Sequence, residues 1–241
     1  MRRILITNDD GIDAEGMQRL VEASKEFGEV WVAAPDGQRS ATGHSISLRH
    51  SIDVYPAEYP VAEVKAFSCS GSPADCVRVA CHFLMPEMPD VVLAGINFGY
   101  NSATDIQYSG TCGAAFEAAF QGVHAIAVSE AANGVHEVTD RYLKEVLGEL
   151  LEKPLPNGVI HNVNFPGCSL QECAGILRDV SVSRSMFYRD GYKEMEKLPG
   201  GGSRVKVDGH YNEDCEEGTD MWALVNHYVS VGLVNNVGVR M

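Results

Sequence analysis

The sequence predicts an α/β protein built on a mostly parallel β-sheet. Short apolar runs typical of buried strands alternate along the chain with segments of helical periodicity. The first strand, helix and strand are completed within about 30 residues, the usual length of a βαβ unit, whose two strands run parallel. Because helices alternate with strands in this way, an α/β fold with a mostly parallel sheet is expected.

The first βαβ unit is predicted near the N-terminus. Residues 3–7 (RILIT) form a continuous apolar run with a β-branched end, which is typical of a buried strand. Residues 14–27 carry apolar side chains near helical spacing, and Gly28 follows them as a stop signal. Residues 30–34 (VWVAA) form the second apolar strand, which ends before a Pro-Asp-Gly turn.

The second helix has a clear start signal. Ser72 occupies the N-cap position, Pro73 the first helical position, and Asp75 lies three residues after the cap, which makes a capping box. The remaining elements are a loop at 38–45, a pair of strands beside the main sheet at 45–55 and 61–70, further strands at 89–96, 124–129 and 158–166, and helices at 111–122 and 136–153.

The alternating pattern dissolves after residue 166. Residues 169–220 mix short strand-like pieces with PGGGS and NEDCEEGTD, which predicts an extension or hairpin arm outside the sheet. We therefore expect a single domain over residues 1–241, with a core of about residues 1–166 and a C-terminal arm of about residues 167–241.

Charge and composition argue against several function classes. The chain has 241 residues, 45% of them hydrophobic, and its 19 basic and 33 acidic residues give a formal net charge of −14. Binding to nucleic-acid polymers and to anionic membranes depends on Lys and Arg, so neither partner is expected. No run approaches the roughly 18 apolar residues that span a bilayer, and the apolar run behind Arg3 is too short for a signal peptide. Seven scattered cysteines without a C-x-x-C pair predict a reduced, cytoplasmic protein.

Oxygen-bearing side chains occur in the loops after three predicted strands. In open α/β sheets, ligands bind beyond the carboxyl ends of the strands. Asp9 and Asp10 follow the first strand, Ser40 lies in the loop after the second, and Asn97 and Asn101 follow a later buried strand. Carboxylate, hydroxyl and amide oxygens suit Mg²⁺, Mn²⁺ or Ca²⁺ better than zinc or copper. The sequence therefore favours a hard divalent cation at this edge.

The adjacent carboxylates of Asp9 and Asp10 give a further argument for a cation. They repel each other unless a cation lies beside them, and a divalent ion turns that cost into binding free energy. A plain Asp-Asp-Gly turn is the competing interpretation, because Asp and Gly are common turn formers. The position directly after the first buried strand favours the functional interpretation.

A candidate anion site stands at the start of the helix at 111–122. Backbone N–H groups and the positive end of a helix dipole attract anions, and Ser109, Gly110 and Thr111 would let a phosphate come close. An ordinary Ser/Thr N-cap is the alternative. Arg39 and His44 are nearby basic candidates for a phosphate contact and for a general acid or loop-orienting role, but neither is assigned to the site.

Six segments stand in a recognisable order: RILITNDDGIDAEG, VAAPDGQRSATGHSIS, SGSPADCVRVA, LAGINFGYN, YSGTCGAAFEAA and GTDMWALVNHYVSV. Their most specific parts are T-N-D-D-G, R-S-A-T-G-H-S, N-x-G-x-N and S-G-T. In these segments the chain resembles the stationary-phase survival protein (SurE) family of metal-dependent nucleoside monophosphate phosphatases, over nearly its whole length. The resemblance implies a Rossmann-like sheet with helices on both faces and a C-terminal arm that takes part in dimer or tetramer contacts.

The resemblance also implies roles for individual residues. Hydrolysis of a nucleoside monophosphate by a metal-activated water is implied, with Asp9 or Asp10 accepting the proton. The base preference and the choice between 5′ and 3′ phosphates stay open. One divalent cation per subunit is implied, Mg²⁺ or Mn²⁺ with Ca²⁺ as a further candidate, held by Asp9, Asp10, Ser40 and Asn97, while Asn101, Ser109, Gly110 and Thr111 hold the phosphate.

The chain departs from the family pattern in its C-terminal part. YVSVGLVNNVGVRM stands where the family usually has an I-T-P-L-like segment, and residues 184–220 diverge. A homodimer or homotetramer is expected, with the number of subunits open.

Three other function classes share parts of this pattern. A haloacid dehalogenase-type phosphatase needs D-x-D in place of the adjacent pair of aspartates. A response-regulator receiver is about half this length. A non-catalytic metal- and nucleotide-sensing protein on the same scaffold is the main alternative, and nucleotide binding without turnover would favour it.

Overall fold

The computed structural model describes residues 1–212 and 214–236. Its helices are α1 (Glu15–Ser24), α2 (Pro73–Val79), α3 (Gly110–Phe120), α4 (Glu137–Leu150) and α5 (Asp220–Val225). Its strands are β1 (Arg3–Thr7), β2 (Glu29–Pro35), β3 (Val54–Ala57), β4 (Lys65–Cys69), β5 (Val91–Phe98), β6 (His124–Glu130), β7 (Val159–Phe165), β8 (Gly175–Val180), β9 (Tyr188–Arg189), β10 (Tyr192–Lys197), β11 (Ser203–Val207), β12 (His210–Tyr211) and β13 (Tyr228–Asn235).

The central sheet is mostly parallel, as predicted. It has nine strands in the order β3-β4-β2-β1-β5-β6-β7-β13-β8. The six strands from β4 to β7 in this order are parallel to one another, and the antiparallel pairs are β3 with β4 and β13 with β7. The chain runs from β1 to β2 on one side and returns to β5 on the other. The strand order therefore reverses beside β1, where α/β sheets open a ligand crevice.

Helices cover both faces of the sheet, because successive side chains of a strand point to opposite sides. Ile4 of β1 packs in one apolar core with Leu20 of α1 and Leu147 of α4. Its neighbour Leu5 belongs to a second core, on the opposite face, with Phe116 of α3. The predicted α/β class is confirmed. In the described part of the chain, no helix has the length and apolar character that crossing a membrane requires.

The predicted start of α2 is confirmed at the level of hydrogen bonds. The Ser72 hydroxyl accepts a bond from the Asp75 N–H at 3.1 Å, and the Asp75 carboxylate accepts one from the Ser72 N–H at 3.0 Å. Pro73 begins the helix, where its missing N–H is not needed. The helix continues into a π-helical turn at Ala80–Leu84.

The strand predicted at 45–55 is wrong before Val54, where β3 begins. Side-chain bonds hold this earlier segment instead of a strand ladder. The Ser47 N–H and hydroxyl both donate to the Asp75 carboxylate at 2.8 Å. The partner strand lies within the predicted segment 61–70 as β4, which pairs antiparallel with β3.

The prediction that residues 169–220 lie outside the sheet is wrong for β8. This strand pairs parallel with β13, with Ile176 opposite Val229. Its sequence, GILRDV, has a weak apolar pattern because β8 is an edge strand, which exposes part of its length. The prediction is confirmed for the β10–β11 hairpin and the β9–β12 pair, which form two small separate sheets. The central sheet therefore continues beyond residue 166.

Candidate functional site

A cavity of about 560 Å³ lies beyond the carboxyl ends of the central strands. The loops after β1 and β2, the end of β5 with the loop that follows it, and the start of α3 contribute to its wall. The strand predicted to end at residue 96 continues to Phe98, so Asn97 lies on β5 and pairs with Ser129. The structure thus brings together five of the predicted site residues, which come from separate parts of the chain: Asp9, Ser40, Asn97, Asn101 and Ser109.

Asp9 is the most buried carboxylate of the site, with 3% of its surface exposed. The Thr111 hydroxyl donates to its Oδ1 at 2.6 Å, and the Arg39 N–H donates to its backbone oxygen at 2.6 Å. Burial raises the pKa of Asp9 to about 6, the nearby charge of Asp10 adds to the rise, and the Thr111 bond opposes it. A buried carboxylate of this kind needs a cation or a proton as a partner.

Asp10 lies close enough to Asp9 for its charge to raise the Asp9 pKa, and it is hydrogen-bonded to the end of β5. Its carboxylate accepts a hydrogen bond from the Phe98 N–H at 3.1 Å, and burial raises its pKa. Asp10 lines a smaller neighbouring cavity of about 170 Å³ rather than the main one. The turn that carries both carboxylates is closed by Asn8, which bonds both the carbonyl (2.8 Å) and the N–H (3.2 Å) of Gly11. Gly11 has a φ of +103°, a conformation that favours glycine.

Ser40 and Asn97 supply neutral oxygens to the main cavity. Ser40 is exposed, and its hydroxyl accepts a bond from the Gln38 amide at 3.0 Å. The Asn97 amide nitrogen donates to the Gly99 carbonyl at 2.7 Å. The acceptor left on the Asn97 side chain is therefore its oxygen.

The chemistry of these side chains fits a hard divalent cation. Asp9 and Asp10 contribute carboxylates, while Ser40 and Asn97 contribute a hydroxyl and an amide oxygen. Across residues 1–212 and 214–236, no group of three or more His, Cys, Asp or Glu side chains is placed to hold a metal ion. Two carboxylates and neutral oxygens are the donors available here, which suits Mg²⁺ or Mn²⁺ better than a thiolate- or imidazole-binding metal.

The start of α3 is placed against Asp9. Ser109 caps the helix by accepting a bond from the Cys112 N–H at 3.0 Å, and it lines the cavity. Gly110 lies directly on Asp9, since a Cβ at Gly110 would come within 2.8 Å of the Asp9 Cβ. The Thr111 side chain is fully buried, and its hydroxyl is used on Asp9. Of these three residues, Ser109 presents its side chain to the cavity. Gly110 has only its backbone N–H to offer an anion, and the Thr111 N–H, like its hydroxyl, bonds to the Asp9 carboxyl and helps to lower its pKa.

Asn101 is held rigidly in the cavity wall, with 5% of its surface exposed. Its side-chain nitrogen donates to the Ser129 hydroxyl at 2.8 Å, and its backbone N–H donates to the Asn164 side chain at 2.8 Å. The Asn162 amide donates to its carbonyl at 2.8 Å. These partners lie on β6 and β7, so the neighbouring strands fix the loop that follows β5.

Sequence reasoning missed the aromatic and C-terminal parts of the cavity wall. Tyr100 and Tyr108 come from the loop between β5 and α3, and Met186, Tyr188 and Asp190 come from the divergent arm. The aromatic residues beside N-x-G-x-N and S-G-T were a usable signal, because tyrosines in a site loop often contact ligands. The arm offered no local signal, since its contribution depends on long-range packing.

Known proteins resemble this chain both in sequence and in structure. Residues 4–187 match the family model of the survival protein SurE. A 5'-nucleotidase SurE of Clostridium botulinum (strain Loch Maree / Type A3) is 40% identical over 232 residues, which cover 95% of this chain and 90% of the relative. A 5'-nucleotidase SurE of Flavobacterium psychrophilum is 37% identical, with 95% and 89% covered. The crystal structure of the SurE protein from Aquifex aeolicus has a TM-score of 0.81 at 31% identity, covering 97% of this chain and 93% of that chain. The resemblance in the sequence motifs is confirmed: this chain belongs to the SurE family.

Proposed function

We propose that the protein is a phosphomonoesterase that hydrolyses nucleoside monophosphates with the help of a divalent cation. One observation carries this assignment: the buried carboxylate of Asp9 stands in the wall of a 560 Å³ cavity, directly against the first turn of α3. A cation-binding group and an anion-binding helix end are therefore adjacent, which suits a metal–phosphate pair. The names of the relatives support nucleotides as the substrate class.

Asp9, Asp10, Ser40 and Asn97 would hold one Mg²⁺ or Mn²⁺ ion per subunit. When bound, such a cation supplies Lewis acidity to a phosphate oxygen and lowers the pKa of a water molecule. Asp9 or Asp10 takes the proton of the attacking water. The N–H groups at the start of α3, with the Ser109 hydroxyl and Asn101, orient the phosphate and stabilise the charge that develops on it. These N–H and side-chain donors are important because the chain carries a net charge of −14, which repels an anionic substrate.

The assembly and location form a separate part of the proposal. We infer a homodimer or homotetramer whose contacts use the C-terminal arm, acting in the cytoplasm without a membrane or nucleic-acid polymer as partner. The β10–β11 hairpin supports the oligomer because Tyr192, Met195, Val205 and Val207 are 69%, 57%, 54% and 51% exposed. Five of the seven cysteines are buried, which agrees with thiols that fill apolar space. Light scattering behind size-exclusion chromatography tests the oligomer, and a monomeric mass would overturn it.

Substitution of the two carboxylates tests the proposed reaction. We expect Asp9→Asn and Asp10→Asn to abolish Mn²⁺-dependent phosphate release from a panel of nucleoside monophosphates while the far-UV circular dichroism spectrum stays unchanged. Asp13→Asn is the matched control, because Asp13 lies in the same loop but is exposed. Wild-type activity in both variants would contradict the site. Nucleotide binding by the wild type, with no turnover under any divalent metal, would favour the sensing alternative instead.

A further inference from the structure

The loop at residues 38–45 carries Ser40 but has no regular secondary structure. Its conformation therefore depends on contacts with other elements. Backbone bonds tie it to two neighbours, and a side-chain bond ties it to the middle of α3. The contacts are the Arg39 N–H to the Asp9 carbonyl at 2.6 Å, the Gly43 N–H to the Tyr108 carbonyl at 2.9 Å, and His44 Nε2 to Glu117 Oε2 at 2.8 Å.

A buried carboxylate, that of Glu117, lies in the middle of α3. It is 4% exposed on a helix whose neighbouring residues are mostly alanine. Burying an unpaired carboxylate is costly, so its partners explain its presence. Besides His44, these are Arg78 at 3.0 Å and Gln121 at 2.8 Å. Burial alone would raise the pKa of Glu117, but the hydrogen bonds from His44, Gln121 and Arg78 outweigh it and lower the pKa to about 2. Glu117 is therefore an ionised acceptor at neutral pH.

His44 itself is confined on several sides. Its ring stacks on Phe120 with a centroid distance of 5.4 Å. Its backbone lies directly on α3 at Gly113, where a Cβ would come within 2.5 Å of the Gly43 carbonyl and 2.9 Å of the His44 Cα. The loop is thus seated on the helix by close backbone contact and locked there by one charge-assisted hydrogen bond.

We infer that His44 is a positioning residue for the metal site, acting through Glu117 to fix the Ser40 loop on α3. The inference rests on the proposed function, in which Ser40 is a metal donor. Because α3 also carries Ser109 and lies against Asp9, the His44–Glu117 bond makes the loop and the helix end one rigid unit. Partners behind metal ligands of this kind commonly set ligand orientation and metal affinity.

Direct Mn²⁺ binding without nucleotide tests the inference, measured from the free-ion signal in electron paramagnetic resonance. We expect His44→Ala to weaken Mn²⁺ binding by about 10- to 100-fold, the range for outer partners of metal ligands. His44→Gln restores most of the affinity, because its amide N–H can still donate to Glu117. We expect the double variant His44→Ala/Glu117→Gln to bind Mn²⁺ as tightly as whichever single variant has the lower affinity, because both substitutions remove the same bond between the loop and α3.

His82→Ala is the matched control. His82 bonds at 3.0 Å to Gln121, which caps the C-terminal end of α3, and its partner is therefore outside the Ser40 loop. We expect the His82→Ala variant to bind Mn²⁺ with the affinity of the wild type. Wild-type affinity in His44→Ala would overturn the inference, as would a loss that His44→Gln does not restore or that His82→Ala shares. If His44→Ala does not fold, the Mn²⁺ affinities of His44→Gln and Glu117→Gln are compared instead. A lower affinity in Glu117→Gln than in His44→Gln supports the inference, because only Glu117→Gln loses the charged acceptor, and equal affinities overturn it. A wild-type protein that binds no Mn²⁺ would instead overturn the proposed metal site.

Discussion

The Thr111 hydroxyl donates a 2.6 Å hydrogen bond to Oδ1 of Asp9, a residue 102 positions earlier in the chain. Both residues are buried, at 0% and 3% exposure, and this bond joins the loop after β1 to the first turn of α3, beside the close contact of Gly110 with Asp9. It leaves the second carboxylate oxygen of Asp9 beside Gly110, at the start of the helix. The proposed cation site and the proposed phosphate site are thereby joined in one structure.

Removal of this bond should affect both stability and activity. Thr111→Val keeps the side-chain shape but leaves the Asp9 carboxylate without its hydroxyl donor. Since a hydrogen bond to a charged group contributes about 1.5–3 kcal/mol, we expect the free energy of unfolding to fall by a similar amount. We also expect Mn²⁺-dependent phosphate release to fall by about 10-fold or more.

Thr111→Ser is the control for this substitution, since it retains the hydroxyl and should keep most of the activity. Urea unfolding and a phosphate-release assay measure the two effects. Equal activity of the Val and Ser variants would show that the Thr111 bond does not serve the reaction.

The close contact of Gly110 with Asp9 predicts a local clash. In Gly110→Ala the new Cβ would lie 2.8 Å from the Asp9 Cβ and 2.9 Å from Oδ2, so the helix start must move. We expect a loss of about 1–3 kcal/mol in the free energy of unfolding and loss of phosphatase activity.

Gly148→Ala in α4 is the matched helix control. Its Cβ would meet the Phe27 ring at an ordinary 3.5 Å. This variant should be more stable by about 0.5–1 kcal/mol with unchanged activity, because alanine favours helix interiors. Thermal unfolding of both variants checks the prediction, and stabilisation by Gly110→Ala would contradict the close approach of Gly110 to Asp9.

Tyr108 is placed to contact the nucleoside part of the substrate. It is 62% exposed and lines the cavity. Stacking of a base on an aromatic ring contributes about 1–3 kcal/mol, so Tyr108→Ala should raise KM for nucleoside monophosphates by roughly 10-fold. KM for a simple alkyl phosphomonoester, which has no base, should not change. Tyr55→Ala is the control, because Tyr55 is 64% exposed on the distant strand β3. Equal KM changes for both substrates would exclude a stacking role.

Because His161 is buried, we expect the folded protein to lose stability in mild acid. His161 is 4% exposed, and its ring centroid lies 5.5 Å from that of His124. Burial, followed by repulsion from His124, lowers the pKa of His161 to about 4 from 6.5. Between pH 6.5 and about 4 the unfolded chain binds the proton that folded His161 does not, so stability falls as the pH falls through this window. Within the described part of the chain, the charged groups near His161 include Glu149, Lys153, Arg178 and Asp179.

Urea unfolding at pH 7 and pH 5 measures this dependence. His161→Gln should lose less stability over the interval than the wild type, while His50→Gln, at an exposed position, should behave as the wild type does. An unchanged pH dependence in His161→Gln would assign the acid sensitivity to other groups.

Local patterns predicted the parts of the molecule that depend on near neighbours in the chain. The β1 run, the capping box at Ser72 and the start of α3 at Ser109 were predictable because each depends on residues within a few positions. The segment before Val54 and the edge strand β8 were not, since a bond to Asp75 and pairing with β13 decide them.

By itself, the sequence determined the α/β class, the loops that carry oxygen donors, and the family to which the chain belongs. Only the tertiary structure decided which of these donors face the same cavity: Asp9 lines it, whereas Asp10 turns toward β5. It also decided that Thr111 supports Asp9, that the arm contributes Tyr188, and that His44 is tied to Glu117. The physical reason is that strand and helix formation follow periodicity along the chain, whereas side-chain partnership depends on distances that arise when remote segments pack together.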